Sequence, residues 1–290
     1  NKKNKILEPS AGEGIFINLL EKKGFLNVDG IEFDKKLKKK ANTNIKYGDY
    51  LLMDSLENKY DGVIGNPPYV RWKNLSNELK ANLSESKTWK RYCNSLSDYY
   101  LAFIAKAVND LKKGGALVFI TPEYWLYTKH AQKLRNHLLS NGSIDKIFHF
   151  EESKIFEGVS SSLIIFRFLK DKKLKTNVTK ILSRQNLQNL PLLNLFKNKL
   201  INFKTFETAE FQYDKRWSLE EKKLTKKLDK FEKNCSKNNI QDFFNTKVSS
   251  IGDICDIANG MVSGLDKAFQ LQPHNSELTA EEKKSLLKVA

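Results

Sequence analysis

Residues Asp61–Trp72 read DGVIGNPPYVRW, an apolar run that passes directly into Asn-Pro-Pro-Tyr. Pro67 and Pro68 remove two backbone donors and fix two φ angles, so a strand that reaches them must stop. Asn66 precedes a proline and is itself pushed toward extended geometry. Taken alone, the tip has two readings. One is a stiff turn; the other is a preset shelf of carbonyls beside an aromatic face, shaped for a planar ligand. The chain on either side decides between them.

Upstream, Lys5-Ile6-Leu7 is a short apolar run feeding the turn Glu8-Pro9-Ser10-Ala11-Gly12-Glu13-Gly14. A helical pattern follows, with Ile15, Leu19 and Leu20 on one face and Gly24 at its end. Val28–Phe33 reads as a second strand ending in Glu32 and Asp34. Lys35–Ala41 reads as a helix, and Ile45–Tyr47 as a third strand running into Gly48-Asp49-Tyr50. Downstream, Ser97–Leu111 places Leu101, Ile104, Ala105 and Val108 on one helical face. Ala116–Thr121 is a fifth strand, and Glu123–Leu139 a further helix. Ile144–Phe150 and Ser162–Phe168 are two more strands, joined by the loop around Phe156. Such alternation predicts an α/β fold with a doubly wound parallel sheet. Its last strand pair is expected to form an antiparallel edge.

From about Asp171 the alternation fails. Asn177–Asn202 reads as irregular, and Ser218 begins a helix with capping-box spacing to Glu221 and with Leu224, Leu228 and Phe231 on one face. The reading is therefore a catalytic domain at 1–170, a basic connecting region with one long helix at 171–249, and a different module opening at 250–290.

The chain has 290 residues, 40% of them hydrophobic, which suffices for one sizeable core and part of a second. It carries 50 basic and 34 acidic residues, a formal charge of +16. Residues 171–250 hold 18 of the basic residues against 9 acidic ones, the densest excess in the chain. That balance favours a polyanionic partner. Nucleic acid ranks above membrane, since no apolar run approaches spanning length and no signal peptide opens the sequence. Cys93, Cys235 and Cys255 show no paired metal spacing and read as free thiols in a reducing cytoplasm. No metal is expected.

In an open α/β sheet, ligands bind at the carboxyl ends of the strands. The polar clusters after the first four strands all fall there. Gly12 and Gly14 permit close backbone approach at a helix N-terminus. Glu8 beside them disfavours a pyrophosphate and suits a cationic ligand. The acidic end of the second strand suits a ribose diol, and Asp49 suits an exocyclic amine, with Tyr50 packing a ring. A cationic methionine head, a ribose and an adenine together describe S-adenosylmethionine.

The ordered set EPSAGEG, IEFD, GDY and NPPY resembles the S-adenosylmethionine-dependent amino-methyltransferases. Within them it is most similar to the gamma-class (TaqI-like, Eco57I-like) DNA adenine-N6 methyltransferases of restriction-modification systems. The resemblance covers about Lys5–Leu169 and, more loosely, Trp217–Phe269. It implies a Rossmann-like methyltransferase sheet followed by the start of a target-recognition region, opened by GMVSGLDKAF and truncated. By the same resemblance Glu8, Pro9, Ala11, Gly12 and Gly14 surround the methionine part of the cofactor. Glu32 binds its ribose, Asp49 and Tyr50 meet its adenine, and Phe33 and Asn66 complete the cofactor site. Asn66, Pro67, Pro68 and Tyr69 form the catalytic tip, with Asp98 near the base pocket and Phe156 on the other face of the base. The helix-bearing segment with which that family begins is not represented before the first strand.

The chemistry accounts for these residue types. The lone pair of adenine N6 is delocalised into its ring, and acceptors at Asn66 and Pro67 for both N6 hydrogens draw the nitrogen toward tetrahedral geometry. Tyr69 and Phe156 supply faces for a base that has left the duplex. Arg71 and Lys73 are candidate phosphate contacts. Asp145 with Glu152-Ser153-Lys154 imitates a nuclease signature but is better read as strand and loop. Lys35–Lys40 reads as a solvated helix face. The expected partner is double-stranded DNA in a bacterial cytoplasm, with a cognate restriction endonuclease alongside. The rival readings are an amino-methyltransferase acting on ribosomal RNA or a protein glutamine, which shares NPPY, and a non-catalytic DNA-binding subunit of a defence system.

Overall fold

The structure is a computed structural model that describes residues 1–37, 44–53, 56–151, 153–156, 162–182, 187 and 202–236. The chain divides into two compact units, Asn1–Asp229 and Lys230–Ala290. Among the described residues the first holds one nine-stranded mixed sheet. Its strands are β1 (Lys5–Glu8), β2 (Asn27–Glu32), β3 (Asn44–Tyr47), β4 (Tyr60–Gly65), β5 (Leu111–Pro122), β6 (Gly142–His149), β7 (Leu163–Lys170), β8 (Asn177–Ile181) and β9 (Phe203–Glu207). Their spatial order is β3-β2-β1-β4-β5-β7-β6-β8-β9. The first five strands pair in parallel, and β7 enters antiparallel between β5 and β6. The expected parallel sheet and the antiparallel pair β6–β7 are both present, but the pair is not an edge, since β8 and β9 continue the sheet beyond it. Chain order reverses at β1, whose neighbours are β2 and β4, so the sheet has its switch point there.

Alternation along the inner strands explains the layering. Ile6, Val28, Ile45 and Ile64 face a cluster completed by Ile17 of α1 (Ile15–Lys22). Leu7, Ile31 and Val63 face the larger core, built with α3 (Lys87–Tyr92), α4 (Tyr99–Asp110) and α5 (Gln132–Asn141). Both faces of a parallel sheet are thereby covered, as a parallel sheet requires. Gly30 lies where α1 crosses β2: a Cβ there would stand 2.6 Å from Ile17 Cδ1.

Four further expectations need correction. Lys35–Leu37 form a turn and a bend rather than helix, and the remainder of that segment, 38–41, lies outside the described residues. The helix expected from Glu123 begins only at Gln132, after single 3-10 turns at Tyr124–Leu126 and Lys129–Ala131. Thr128 is extended between them, and the buried Arg135 guanidinium donates to the Trp125 and Thr128 carbonyls, at 2.8 Å each. The break thus leaves those acceptors satisfied.

Asn177–Ile181, expected to be irregular, is β8 and extends the sheet beside β6. Lys180, buried in it, pairs with Glu220 at 2.7 Å, which lets a polar sequence enter the sheet. The last helix, α6 (Lys222–Ser236), starts four residues after Ser218. Ser218 is instead engaged through its carbonyl by Thr208 Oγ1 at 2.9 Å, and Thr208 bridges to Glu221. Two further helices absent from the sequence reading, α2 (Asn77–Glu85) and α3, follow NPPY. The expected connecting region contributes β8, β9 and α6, whereas 250–290 lies outside the described residues. Among the described residues no helix is long and apolar enough to cross a membrane.

Candidate active site

Because β1 to β5 run parallel, their carboxyl ends share one edge of the sheet. β6 runs parallel to them through β7, so the loop bearing Phe156 emerges at that same edge. A cavity of about 330 Å³ opens there on both sides of the switch point, within the range of small-molecule sites. Pro9 and Ser10 line it from β1, Glu32 and Phe33 from β2, Gly48, Asp49 and Tyr50 from β3, and Asn66, Pro68 and Val70 from β4.

The glycine turn is fixed from several directions. Gly12 and Gly14 have φ of +55° and +81°, the left-handed region that favours glycine. The Gly12 N–H donates to Glu32 Oε2 at 2.7 Å, and the Asp34 N–H to Glu32 Oε1 at 2.8 Å. The Ala11 N–H donates to the Ile31 carbonyl at 2.8 Å. Glu32 is thus held by two backbone donors, each oxygen retaining a lone pair.

Glu8 is buried, and among the described residues its Oε2 has no hydrogen-bond partner. Burial, reinforced by the nearby charge of Glu32 and partly offset by an Ile17 backbone hydrogen bond, pushes its pKa up to about 8. A buried acid with an unspent acceptor, beside a turn that also carries Glu13 and is held by Glu32, suits a cationic group.

Asp49 accepts the Leu51 N–H on Oδ1 at 2.8 Å and the Tyr99 hydroxyl on Oδ2 at 2.7 Å. Tyr50 is 1% exposed, and its hydroxyl donates to the buried Asp110 at 2.6 Å, so it offers the cavity ring carbon rather than a polar group. Its ring packs on Phe103 at 5.2 Å between centroids. Tyr99, Phe103, Leu75 and Leu79 complete the lining and were not found in the sequence. Tyr99 and Phe103 are one helical turn apart on α4, an aromatic pair whose spacing was the available signal.

NPPY is pinned on every side except its expected working face. Ser10 Oγ donates to the Asn66 carbonyl at 3.0 Å, and the Val70 N–H to the Pro68 carbonyl at 3.0 Å. The Tyr69 hydroxyl donates to the Ile120 carbonyl at 2.9 Å, and its ring meets Tyr100 edge-on at 5.9 Å. Burial raises the Tyr69 phenol above its ordinary pKa, so it stays a donor. Asn66 itself is exposed, and among the described residues no hydrogen bond engages its carboxamide or the Pro67 carbonyl.

Asp98 immediately precedes α4, half-buried and without a side-chain capping hydrogen bond, and burial raises its pKa against the opposing charges of Arg71 and His130. Arg71 bridges to Asp98 through the backbone, and Arg71 and Lys73 are both exposed beside NPPY. Phe156 is 37% exposed. Its neighbour Ile155 packs on the same small cluster as Tyr69, which brings the two segments together. Glu123 and His149 form a further pair at this edge, Oε2 to Nε2 at 2.7 Å, with Ser162 Oγ 3.1 Å from the same nitrogen. Residues 149 and 162 flank the Phe156 loop, so the cluster closes its base. Asp145, of the nuclease-like set, is committed to Arg167, Nε to Oδ1 at 2.9 Å, and Glu152 lies outside the described residues. Among the described residues no group of three His, Cys, Asp or Glu is placed to hold a metal ion.

Residues 9–156 match the family model described as Eco57I restriction-modification methylase. The chain belongs to that family. It is 41% identical over 290 residues to the Type II methyltransferase M.HindII of Haemophilus influenzae, covering 96% of this chain and 53% of that protein. The chain spans about half the length of the curated relatives it matches. Among solved structures it resembles a Listeria monocytogenes protein described as a class I S-adenosylmethionine-dependent methyltransferase. The TM-score is 0.51 at 21% identity, over 68% of this chain and 65% of that one. It also resembles the type I restriction-modification methyltransferase subunit of Streptococcus thermophilus, with a TM-score of 0.51 at 17% identity over 69% and 49%. These likenesses establish the methyltransferase fold. Family and fold together assign S-adenosylmethionine as the cofactor, and the cavity's two carboxylates, its apolar walls and the neighbouring Glu8, whose Oε2 is unpaired among the described residues, fit it.

Proposed function

We propose that this chain is the catalytic part of a site-specific DNA methyltransferase that methylates N6 of an adenine turned out of the duplex, within a restriction-modification system. The observation that carries the reading is the NPPY tip: Ser10 holds its backbone at Asn66, Ile120 holds the Tyr69 hydroxyl, Asn66 and Pro68 line the cavity, and among the described residues no hydrogen bond engages the Asn66 carboxamide or the Pro67 carbonyl. S-adenosylmethionine supplies the electrophilic methyl group. Around it, Glu8 and the Gly12–Gly14 turn face the methionine part, Glu32 accepts the ribose hydroxyls, and Asp49 accepts the adenine amine.

The Asn66 Oδ1 and the Pro67 carbonyl accept the two N6 hydrogens of the target, which aims the nitrogen lone pair and stabilises the positive charge that develops on it. Tyr69 and Phe156 hold the base between their faces, each worth about 1–3 kcal/mol as a stacking partner. Arg71 and Lys73, exposed on the same edge, are phosphate contacts, and a cognate endonuclease is the expected companion.

The test is transfer of a labelled methyl group by the full-length protein to duplex DNA. Asn66→Ala is expected to lower kcat by at least about a hundredfold while leaving S-adenosylmethionine affinity within about threefold. An unchanged kcat in this variant overturns the role of Asn66. Labelling of ribosomal RNA or of a protein glutamine, with none of DNA, overturns the substrate.

A further inference from the structure

We infer that Tyr99 is a positioning residue that fixes Asp49 as a pure acceptor, and so sets the site's preference for adenine over a 6-oxopurine in the cofactor. The inference rests on Asp49 being the contact to the cofactor's exocyclic amine.

Asp49 follows β3 and Tyr99 opens α4, and both line the same cavity. The Tyr99 hydroxyl donates to Asp49 Oδ2 at 2.7 Å. Its backbone N–H donates to the Val70 carbonyl at 2.8 Å, one residue beyond NPPY. Its ring meets Phe103 edge-on, 5.3 Å between centroids. Tyr99 is therefore held at its backbone, its ring and its hydroxyl, and the direction of that hydroxyl is fixed by the fold. With Leu51 N–H on the other oxygen at 2.8 Å, the Asp49 carboxylate cannot rotate without breaking a hydrogen bond on each side.

The chemistry of selection follows from this constraint. An ionised carboxylate is acceptor-only. Held in one rotamer, it receives an amine at position 6 of a purine and meets a 6-oxo group acceptor to acceptor. Burial, together with the adjacent Asp49 charge, holds the Tyr99 phenol well above its ordinary pKa, so it remains a donor throughout the working range. Without the hydroxyl, Asp49 retains only the Leu51 anchor on its other oxygen and can turn away from the purine.

The experiment is calorimetric titration of the full chain with S-adenosylhomocysteine and with its 6-oxo counterpart, S-inosylhomocysteine. Wild type, Tyr99→Phe and Asp49→Asn are compared. Phenylalanine keeps the ring and its packing on Phe103. The expected result is that Tyr99→Phe weakens S-adenosylhomocysteine about fivefold to tenfold, the worth of one net hydrogen bond, and moves S-inosylhomocysteine less than about twofold. Asp49→Asn narrows the same ratio. Equal weakening of both ligands by Tyr99→Phe assigns the residue to packing alone and overturns the inference. An unchanged ratio in Tyr99→Phe, with a collapsed one in Asp49→Asn, overturns it while Asp49 keeps its role. A ratio that neither variant changes removes the Asp49 contact, and the inference with it.

Discussion

At the scale of single residues, Glu8 is the group whose proton state the site controls most directly. Burial raises its pKa from 4.5 to about 8, so the free protein holds it largely protonated at neutral pH. A raised folded-state pKa adds stability that is fully present below the unfolded value near 4.5. That stability is lost as pH rises through about 8. The free protein is therefore expected to lose Tm between pH 5 and pH 8.5 more steeply than Glu8→Gln does, measured by thermal unfolding of both. Parallel curves contradict the buried-acid account. A cationic ligand beside Glu8 favours the charged form and lowers its pKa, so cofactor binding near neutral pH is expected to release a proton. Titrations in buffers of different ionisation enthalpy would detect it, and Glu8→Gln should abolish that release.

At the scale of elements, the site depends on how closely α1 lies on β2. A Cβ at Gly30 would stand 2.6 Å from Ile17 Cδ1 and 3.1 Å from Ile45 Cγ1. Gly30→Ala is expected to cost about 1–3 kcal/mol in chemical unfolding, and to weaken cofactor binding by shifting the turn that α1 carries. Wild-type values for both would contradict that packing. This junction also shows why parts of the site could be read in the sequence. Glu8, Glu32, Asp49 and NPPY sit at or just beyond strand tips, and parallel strands bring such tips to one edge without any further information. Tyr99, Phe103, Leu75 and Leu79 reach the cavity through the packing of the long crossover between β4 and β5: the spacing of Tyr99 and Phe103 shows that they share a helix face, but no local pattern shows that this face meets the cavity. β8 was hidden for another reason: its Lys180 is neutralised by Glu220, forty positions away in sequence. β9 lies at an edge of the described sheet and mixes two phenylalanines with Lys204, Thr205 and Glu207, so no continuous apolar run marks it as a strand. The break at Thr128 depends on Arg135, a helix residue whose capture of two carbonyls is a tertiary event.

At the scale of the whole molecule, the formal charge of +16 and the single loaded edge of the sheet point toward one kind of partner. A polyanion is drawn to such a protein at long range, and the cavity edge adds the exposed Arg71 and Lys73 beside NPPY. The charge does not distinguish DNA from RNA, and NPPY alone does not distinguish adenine from another planar amine. What joins them is the combined placement of the acceptor shelf, the aromatic pair and the cofactor cavity. The most direct measurement of that claim is methylation-sensitive sequencing of DNA from cells expressing the full-length protein beside cells expressing its Asn66→Ala variant. The account predicts N6-methyladenine at one recurrent sequence context in the first and none in the second. Unmodified adenine in both, or methylation confined to cytosine, would contradict it.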